Sequence, residues 1–398
     1  MKTISDKVYN FLEKSSWIRK MFEEGDSLRK KYGADKIYDF SLGNPSIEPP
    51  KEIHQKLKEL ATSPIPGMHR YMNNAGLLKT RKKVAEHISQ KSSVKVSFDN
   101  IVMTCGAGGG LNVVLKSILN PGDEVIVLKP YFPEYRFYVD NHSGKICEVE
   151  TDENFMPDID AIYNAINRKT RVIIINSPNN PTGVVYSGQT IAKLGKTIKE
   201  KAQKFDSIIY VISDEPYAKI VYENIDIPHV FDYIENSIIV TSHSKDLALP
   251  GERIGYIAVS PKIKEAKLLV DALTFCNRVL GFVNAPALMQ HLVAELQNTS
   301  VNLSEYQKKR DTLYGHLIKL GFKVIKPYGA FYLFPKSPIE DDVEFVKTAL
   351  KHNILIVPGS GFGKPSYFRI AYCVDMKTIQ NSLPAWTSLA KEYEKYIL

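Results

Sequence analysis

Four places along the chain set reactive side chains directly after an apolar run. Residues 101–104 (IVMT) lead into Cys105-Gly106-Ala107-Gly108-Gly109-Gly110, and residues 171–176 (RVIIIN) into Ser177-Pro178-Asn179-Asn180-Pro181-Thr182-Gly183. Residues 207–213 (SIIYVIS) are followed by Asp214-Glu215-Pro216-Tyr217, and residues 237–242 (SIIVTS) by His243-Ser244-Lys245. These offer a glycine-rich helix start, an amide, a carboxylate with a phenol, and an amine. Glycine at a helix start costs roughly 1 kcal/mol relative to alanine. It makes sense where backbone N–H groups must approach an anion at the positive end of a helix, although a tight strand–helix turn would also use it. The glycine spacing fits neither G-x-x-x-x-G-K-[ST] nor G-x-G-x-x-G. A lysine at a strand end, partly removed from water, is a competent amine nucleophile toward aldehydes. Arg253, eight residues beyond Lys245 and past the Pro250-Gly251 turn, has the planar fork that grips a phosphate. Asp214 at a buried strand end needs a cation or donors, though a capping aspartate would look the same.

The elements that must carry these groups alternate. Apolar runs 101–104, 124–128, 171–176, 207–213, 237–242 and 254–260 are separated by helix-length stretches such as 111–119 and 190–205. Strands apolar on both faces, alternating with helices, predict an α/β fold with a mostly parallel sheet covered on both sides. Ligands of such sheets bind beyond the carboxyl ends of the strands, where all four groups fall. From about residue 300 a long helical stretch (306–320) leads into new short strands and a final helix. The first 35 residues read as an amphipathic helix, with Ile18, Met21, Phe22 and Leu28 at helical spacing. The expected division is a large domain over 46–299 and a smaller α+β domain from 1–45 and 300–398. Residues 357–363 (VPGSGFG) read as a mobile loop with no chemistry of its own.

Composition narrows the classes. At 398 residues, 44% hydrophobic and 24% charged, the chain is neither disordered nor a disulfide miniprotein. Its net charge of +8 is scattered, without the basic stripe of a nucleic-acid binder. No run approaches a membrane-span length. Cys105, Cys147, Cys276 and Cys373 lie far apart with no C-x-x-C pair, which predicts no metal site and fits a cytoplasmic protein.

A phosphate anchor, a Schiff-base lysine, a carboxylate for a ring nitrogen and donors for a phenolate oxygen are together the requirements of pyridoxal 5′-phosphate. The sequence resembles the class I/II pyridoxal-phosphate-dependent aminotransferases, the fold type I group that includes aspartate aminotransferase. The resemblance runs from Phe40 to about Val374. It rests first on Ser242-x-x-Lys245 with Arg253, on Asn180-Pro181-Thr182-Gly183 and on Asp214-x-x-Tyr217. Gly43-Asn44-Pro45, Tyr71, Pro130-Tyr131-Phe132 and Phe368-Arg369-Ile370-Ala371 are weaker matches. It implies Lys245, Asp214 and Tyr217 as catalytic residues, with Lys245 forming the Schiff base, Asp214 on the pyridine nitrogen, and Asn180 and Tyr217 on the phenolate oxygen. Ser242, Arg253 and the amides of Gly106, Ala107 and Gly108 would hold the phosphate, and Phe132 would stack on the ring. Arg369, with Gly43 and Asn180, would bind the substrate carboxylate. The family pattern also implies a homodimer in which Tyr71 reaches the partner's phosphate.

The implied reaction moves an amino group from an L-amino acid to a 2-oxo acid through a pyridoxamine phosphate intermediate. A carbon–sulfur β-lyase on the same scaffold is the alternative. Ala107, Gly108 and Gly109 depart from the family, in which a hydroxyl, charged or amide side chain often stands in this loop. No lysine there awaits a distal substrate carboxylate.

Overall fold

In the computed structural model, residues 3–13, 25, 33 and 36–397 are described. The expected helix through Ile18, Met21, Phe22 and Leu28 lies outside them; Asp6–Glu13 is helical. The chain divides into two compact units: residues 47–304 with 328–330, and residues 1–46, 305–327 and 331–398.

The larger unit is built on seven strands: β1 (Ile101–Thr104), β2 (Glu124–Lys129), β3 (Lys145–Glu150), β4 (Thr170–Asn176), β5 (Tyr210–Asp214), β6 (Ser237–Ser242) and β7 (Gly255–Val259). Their spatial order is β1-β7-β6-β5-β4-β2-β3. All neighbours are parallel except β7, which runs antiparallel to both β1 and β6. Six of these strands follow the apolar runs of the sequence. The seventh, β3, has no such run. It is one of the sheet's two edges, the other being β1, and Lys145, Glu148 and Glu150 punctuate it with charge.

Valines and isoleucines of the strands pack with helices α1 (Gly106–Ile118), α2 (Glu134–Asn141) and α4 (Ala266–Val279) in one core that includes Val113, Val127, Ile174, Ile212, Val240, Ile257 and Leu273. The helix α3 (Gly188–Phe205) starts on a Ser187 cap whose side chain accepts from the Thr190 N–H. Within α1, Gly110 lets the helix lie on the sheet. A Cβ there would stand 2.7 Å from Val240 Cγ1.

In the other unit, Tyr38–Asp39 pairs in parallel with Ile354–Leu355. Phe368–Ala371 lies between Val357–Pro358 and Tyr332–Leu333, antiparallel to both. Its core is aromatic: Phe322, Phe345, Phe368 and Trp386 are buried with ring centroids 4.8–6.3 Å apart.

Candidate active site

Asp214 ends β5 and is buried. Tyr135, on α2, donates its hydroxyl to Oδ2 at 2.5 Å, while Oδ1 is buried with no hydrogen-bond partner among the described residues. Burial raises the carboxyl pKa from 3.8 to about 7, against the opposing pull of the Tyr135 bond. Asn176, the last residue of β4, lies in register with Asp214. Its Nδ2 donates to the Asp214 carbonyl (2.8 Å), and its Oδ1 accepts from the Asn180 N–H (2.7 Å). One amide therefore fixes Asn180 relative to the carboxylate. Tyr217 is buried three residues past Asp214, its carbonyl accepting from the Ile220 N–H at 2.7 Å.

The lysine stands in a turn closed on itself. His243 N–H donates back to Ile254 O (3.0 Å), and Ser242 Oγ donates to Ser244 Oγ (3.1 Å). Lys245 is half-buried between Ser244 and Asp246, which are buried. Asp246 Oδ2 accepts from Lys219 Nζ (2.8 Å) and faces His243 Nδ1 (3.1 Å). The adjacent His243 and Lys219 hold its carboxyl below the usual range despite burial. The Lys219 ammonium also reaches the Thr299 carbonyl (3.3 Å), and Asp246 O accepts from the Val301 N–H (2.8 Å). The turn is thus tied to two other segments of the same unit.

Gly255 draws this turn onto the start of α1. A Cβ there would run into the Thr241 carbonyl and lie 3.0 Å from Ser242 Cα and 3.1 Å from Gly106 C. Arg253 has a left-handed backbone (φ 51°), a conformation kept where surroundings demand it. Its Nη1 donates to Pro250 O (3.0 Å). A Cβ on Gly106, itself at φ +72°, would stand 2.8 Å from Arg253 Nη2, so only glycine lets the guanidinium rest on this backbone. The helix start, Ser242, Lys245 and Arg253 are in this way gathered beside the ends of β5 and β6.

These residues fit pyridoxal phosphate. A buried carboxylate oxygen lacking a donor suits a pyridinium N–H. The first turn of a 13-residue helix, with a guanidinium against it, suits a phosphate. Phe132 is half-buried and meets Tyr135 edge-to-face, centroids 5.7 Å apart at 84°. Tyr71 is 89% exposed, so it fills no pocket of its own unit.

Arg369 and Gly43 belong to the other unit. The buried guanidinium stands over the rings of Phe362 and Tyr332, 4.7 and 4.8 Å from their centroids, and Nη2 donates to Ser41 O at 2.5 Å. A Cβ on Gly43 would overlap the Tyr332 hydroxyl. Residues 357–363 are not the mobile loop their glycines suggest. Val357 and Pro358 pair with Arg369 and Phe368, and Gly359–Phe362 is a 3₁₀ turn. The Asp342 carboxylate accepts from Ser360 N–H and Oγ, both at 2.6 Å. That turn delivers Phe362 to Arg369.

Tyr135, Asn176 and Phe362 were therefore missed by the sequence reading. Only Tyr135 left a signal, its helical spacing of three from Phe132 and of three from Tyr138.

Among the described residues no helix is long and apolar enough to cross a membrane, and no cluster of three His, Cys, Asp or Glu side chains could hold a metal ion. A family model, aminotransferase class I and II, matches residues 35–385. A protein of Methanocaldococcus jannaschii called probable aspartate aminotransferase is 32% identical over 87% of this chain and 91% of its own length. A solved amino transferase from Eubacterium rectale superposes with a TM-score of 0.95 at 38% identity, covering 99% of this chain and 100% of that one. Aspartate aminotransferase from Thermus thermophilus, solved with maleate, superposes at 0.86 and 26% identity, covering 98% and 100%.

Proposed function

Because this chain belongs to the class I and II aminotransferase family, we propose that it passes an amino group from an L-amino acid to a 2-oxo acid with Lys245, Asp214 and Tyr217 as its catalytic residues. The fold is that of the fold type I enzymes, and the cofactor is pyridoxal 5′-phosphate. When bound, this cofactor supplies an electrophilic carbonyl and a protonated ring that takes up the electron pair left at the substrate's Cα. The larger unit is the proposed cofactor domain. Lys245 Nζ would hold the cofactor through its aldehyde carbon and would carry a proton to and from the substrate's Cα.

Asp214 keeps the ring nitrogen protonated through Oδ1. Tyr135 holds Oδ2, so the carboxylate cannot turn away. Asn180 and Tyr217 donate to the phenolate oxygen. Ser242 Oγ, the Arg253 fork and the N–H groups of Gly106, Ala107 and Gly108 bind the phosphate, while Phe132 covers a ring face. Arg369 receives the substrate carboxylate with Gly43 and Asn180. Two aromatic rings beside its guanidinium fix the plane of that fork.

The observation that carries the reading is the buried Oδ1 of Asp214, left without a donor beside the lysine turn. The fully exposed Tyr71 side chain supports a homodimer in which it serves the partner's phosphate. Leu268, Phe275 and Val279, exposed on α4, support an apolar interface. Four cysteines without a disulfide fit the cytoplasm. Dicarboxylates appear in the names of the relatives, but the start of α1 offers them no cationic side chain here.

The test is a panel of amino donors against 2-oxoglutarate and pyruvate, followed through the cofactor's absorbance. Amino transfer without release of ammonia supports the proposal. Stoichiometric ammonia and pyruvate from a cysteine conjugate would establish the β-lyase in its place.

A further inference from the structure

Arg253 is not alone against the start of α1. It rests over Gly106. Over Gly108 the neighbour is Tyr138, on α2: a Cβ at position 108 would lie 3.0 Å from its Oη and 3.8 Å from its Cζ. The Tyr138 ring is half-buried and packs on the core that holds α1 to the sheet. Its hydroxyl has no hydrogen bond among the described residues. Burial pushes the phenol's pKa up, Glu134 and Asp214 add to this, and Arg253 opposes it, so the group stays protonated and able to donate. The missing side chain at 108 leaves the space that this oxygen uses.

We propose that Tyr138 Oη is a ligand of the cofactor's phosphate, supplying from α2 the hydroxyl that Ala107, Gly108 and Gly109 do not. The inference rests on the cofactor reading above. A phosphate offers several acceptor oxygens. The backbone of α1, Ser242 and Arg253 approach from the strand ends, and Tyr138 approaches from the side of α2. Chemically the phenol is a neutral donor to an anion, a bond stronger than a neutral pair and lost entirely when the oxygen is removed. A serine at 108 and a tyrosine at 138 are alternative ways to place one hydroxyl in the same space, since a Cβ at 108 would press to 3.0 Å against the phenol oxygen.

The experiment titrates the cofactor-free chain with pyridoxal 5′-phosphate and, separately, with pyridoxal, reading binding by absorbance and fluorescence. In Tyr138→Phe the phosphorylated cofactor should bind roughly tenfold to a hundredfold more weakly, the worth of one hydrogen bond to a charged group. Pyridoxal, lacking the phosphate, should bind as to the wild type. The double variant Gly108→Ser/Tyr138→Phe should recover most of the loss, because the serine Cβ no longer meets a phenol oxygen. Unchanged affinity for the phosphorylated cofactor in Tyr138→Phe overturns the inference, as does an equal loss for pyridoxal or a double variant that binds no better than Tyr138→Phe. If the wild-type chain takes up no pyridoxal phosphate, the cofactor reading itself fails. If it loads and Tyr138→Phe loads equally well, only this inference fails.

Discussion

In the cofactor-free chain, replacing Asp214 by Asn should change how stability depends on pH. The folded-state pKa of this carboxyl is raised from 3.8 to about 7 by burial. The folded chain therefore binds its proton more tightly than the unfolded chain does. Stability is highest while the group is protonated in both states. It begins to fall as pH rises past 3.8, where only the unfolded chain ionises, and the loss is complete above about 7. Each pH unit between the two values is worth about 1.4 kcal/mol, which gives about 4 kcal/mol in full, roughly 3 of it between pH 5 and 8. Asparagine keeps the shape and an acceptor for Tyr135 but has no proton to lose. Urea unfolding of both chains at a series of pH values should thus show the wild type falling behind Asp214→Asn by that amount toward pH 8. Glu215, whose carboxyl burial also raises to about 7, is pushed up by the Asp214 charge as well, so losing that charge in Asp214→Asn widens the difference in the same direction. Loading the cofactor should flatten the wild-type curve, since a pyridinium stabilises the ionised carboxylate. Parallel pH curves for the two cofactor-free chains would refute the argument that an unsatisfied charge is held at the end of β5.

Lys245→Ala should abolish the visible absorbance of the loaded protein, and borohydride should no longer fix cofactor to the chain; an unchanged band would mean another lysine is used. Arg369→Lys keeps the charge but loses the planar fork over Phe362 and Tyr332, so KM for amino donors should rise roughly tenfold or more with cofactor affinity unchanged. Asp246→Ala leaves the Lys219 ammonium and His243 without their shared carboxylate, and calorimetry should show a loss of about 3 kcal/mol. Gly43→Ala forces the Tyr332 hydroxyl aside and should cost about 1–3 kcal/mol in the same measurement.

The legible part of this molecule is the part with linear signals. Apolar runs marked six of seven strands, and the polar groups just beyond their carboxyl ends converge because parallel strands end on one edge. The strand β3 escaped because Lys145, Glu148 and Glu150 break it up and leave no apolar run. The turn at 357–363 was misread because glycine and proline mark both mobile loops and tightly packed ones. What decided there was Asp342, brought from a separate helix to Ser360. Asn176 was in view as the last letter of an apolar run. Its bond to the Asp214 carbonyl at the end of β5 depends on register, which a sequence does not print, while its other bond closes on Asn180 in its own loop. Phe362 likewise acquires meaning only beside Arg369.

The short helix α2 serves the proposed site at more than one point. Phe132 just before it and Tyr135 within it lie three residues apart, one against the ring face and the other on the Asp214 carboxylate in the proposed site. Such positions behave as a single rigid comb. A substitution that removes one tooth leaves the other where it was, but a change that tilts or unwinds the comb displaces both together. Random variation in α2 should therefore do most damage where it unwinds the helix, proline above all.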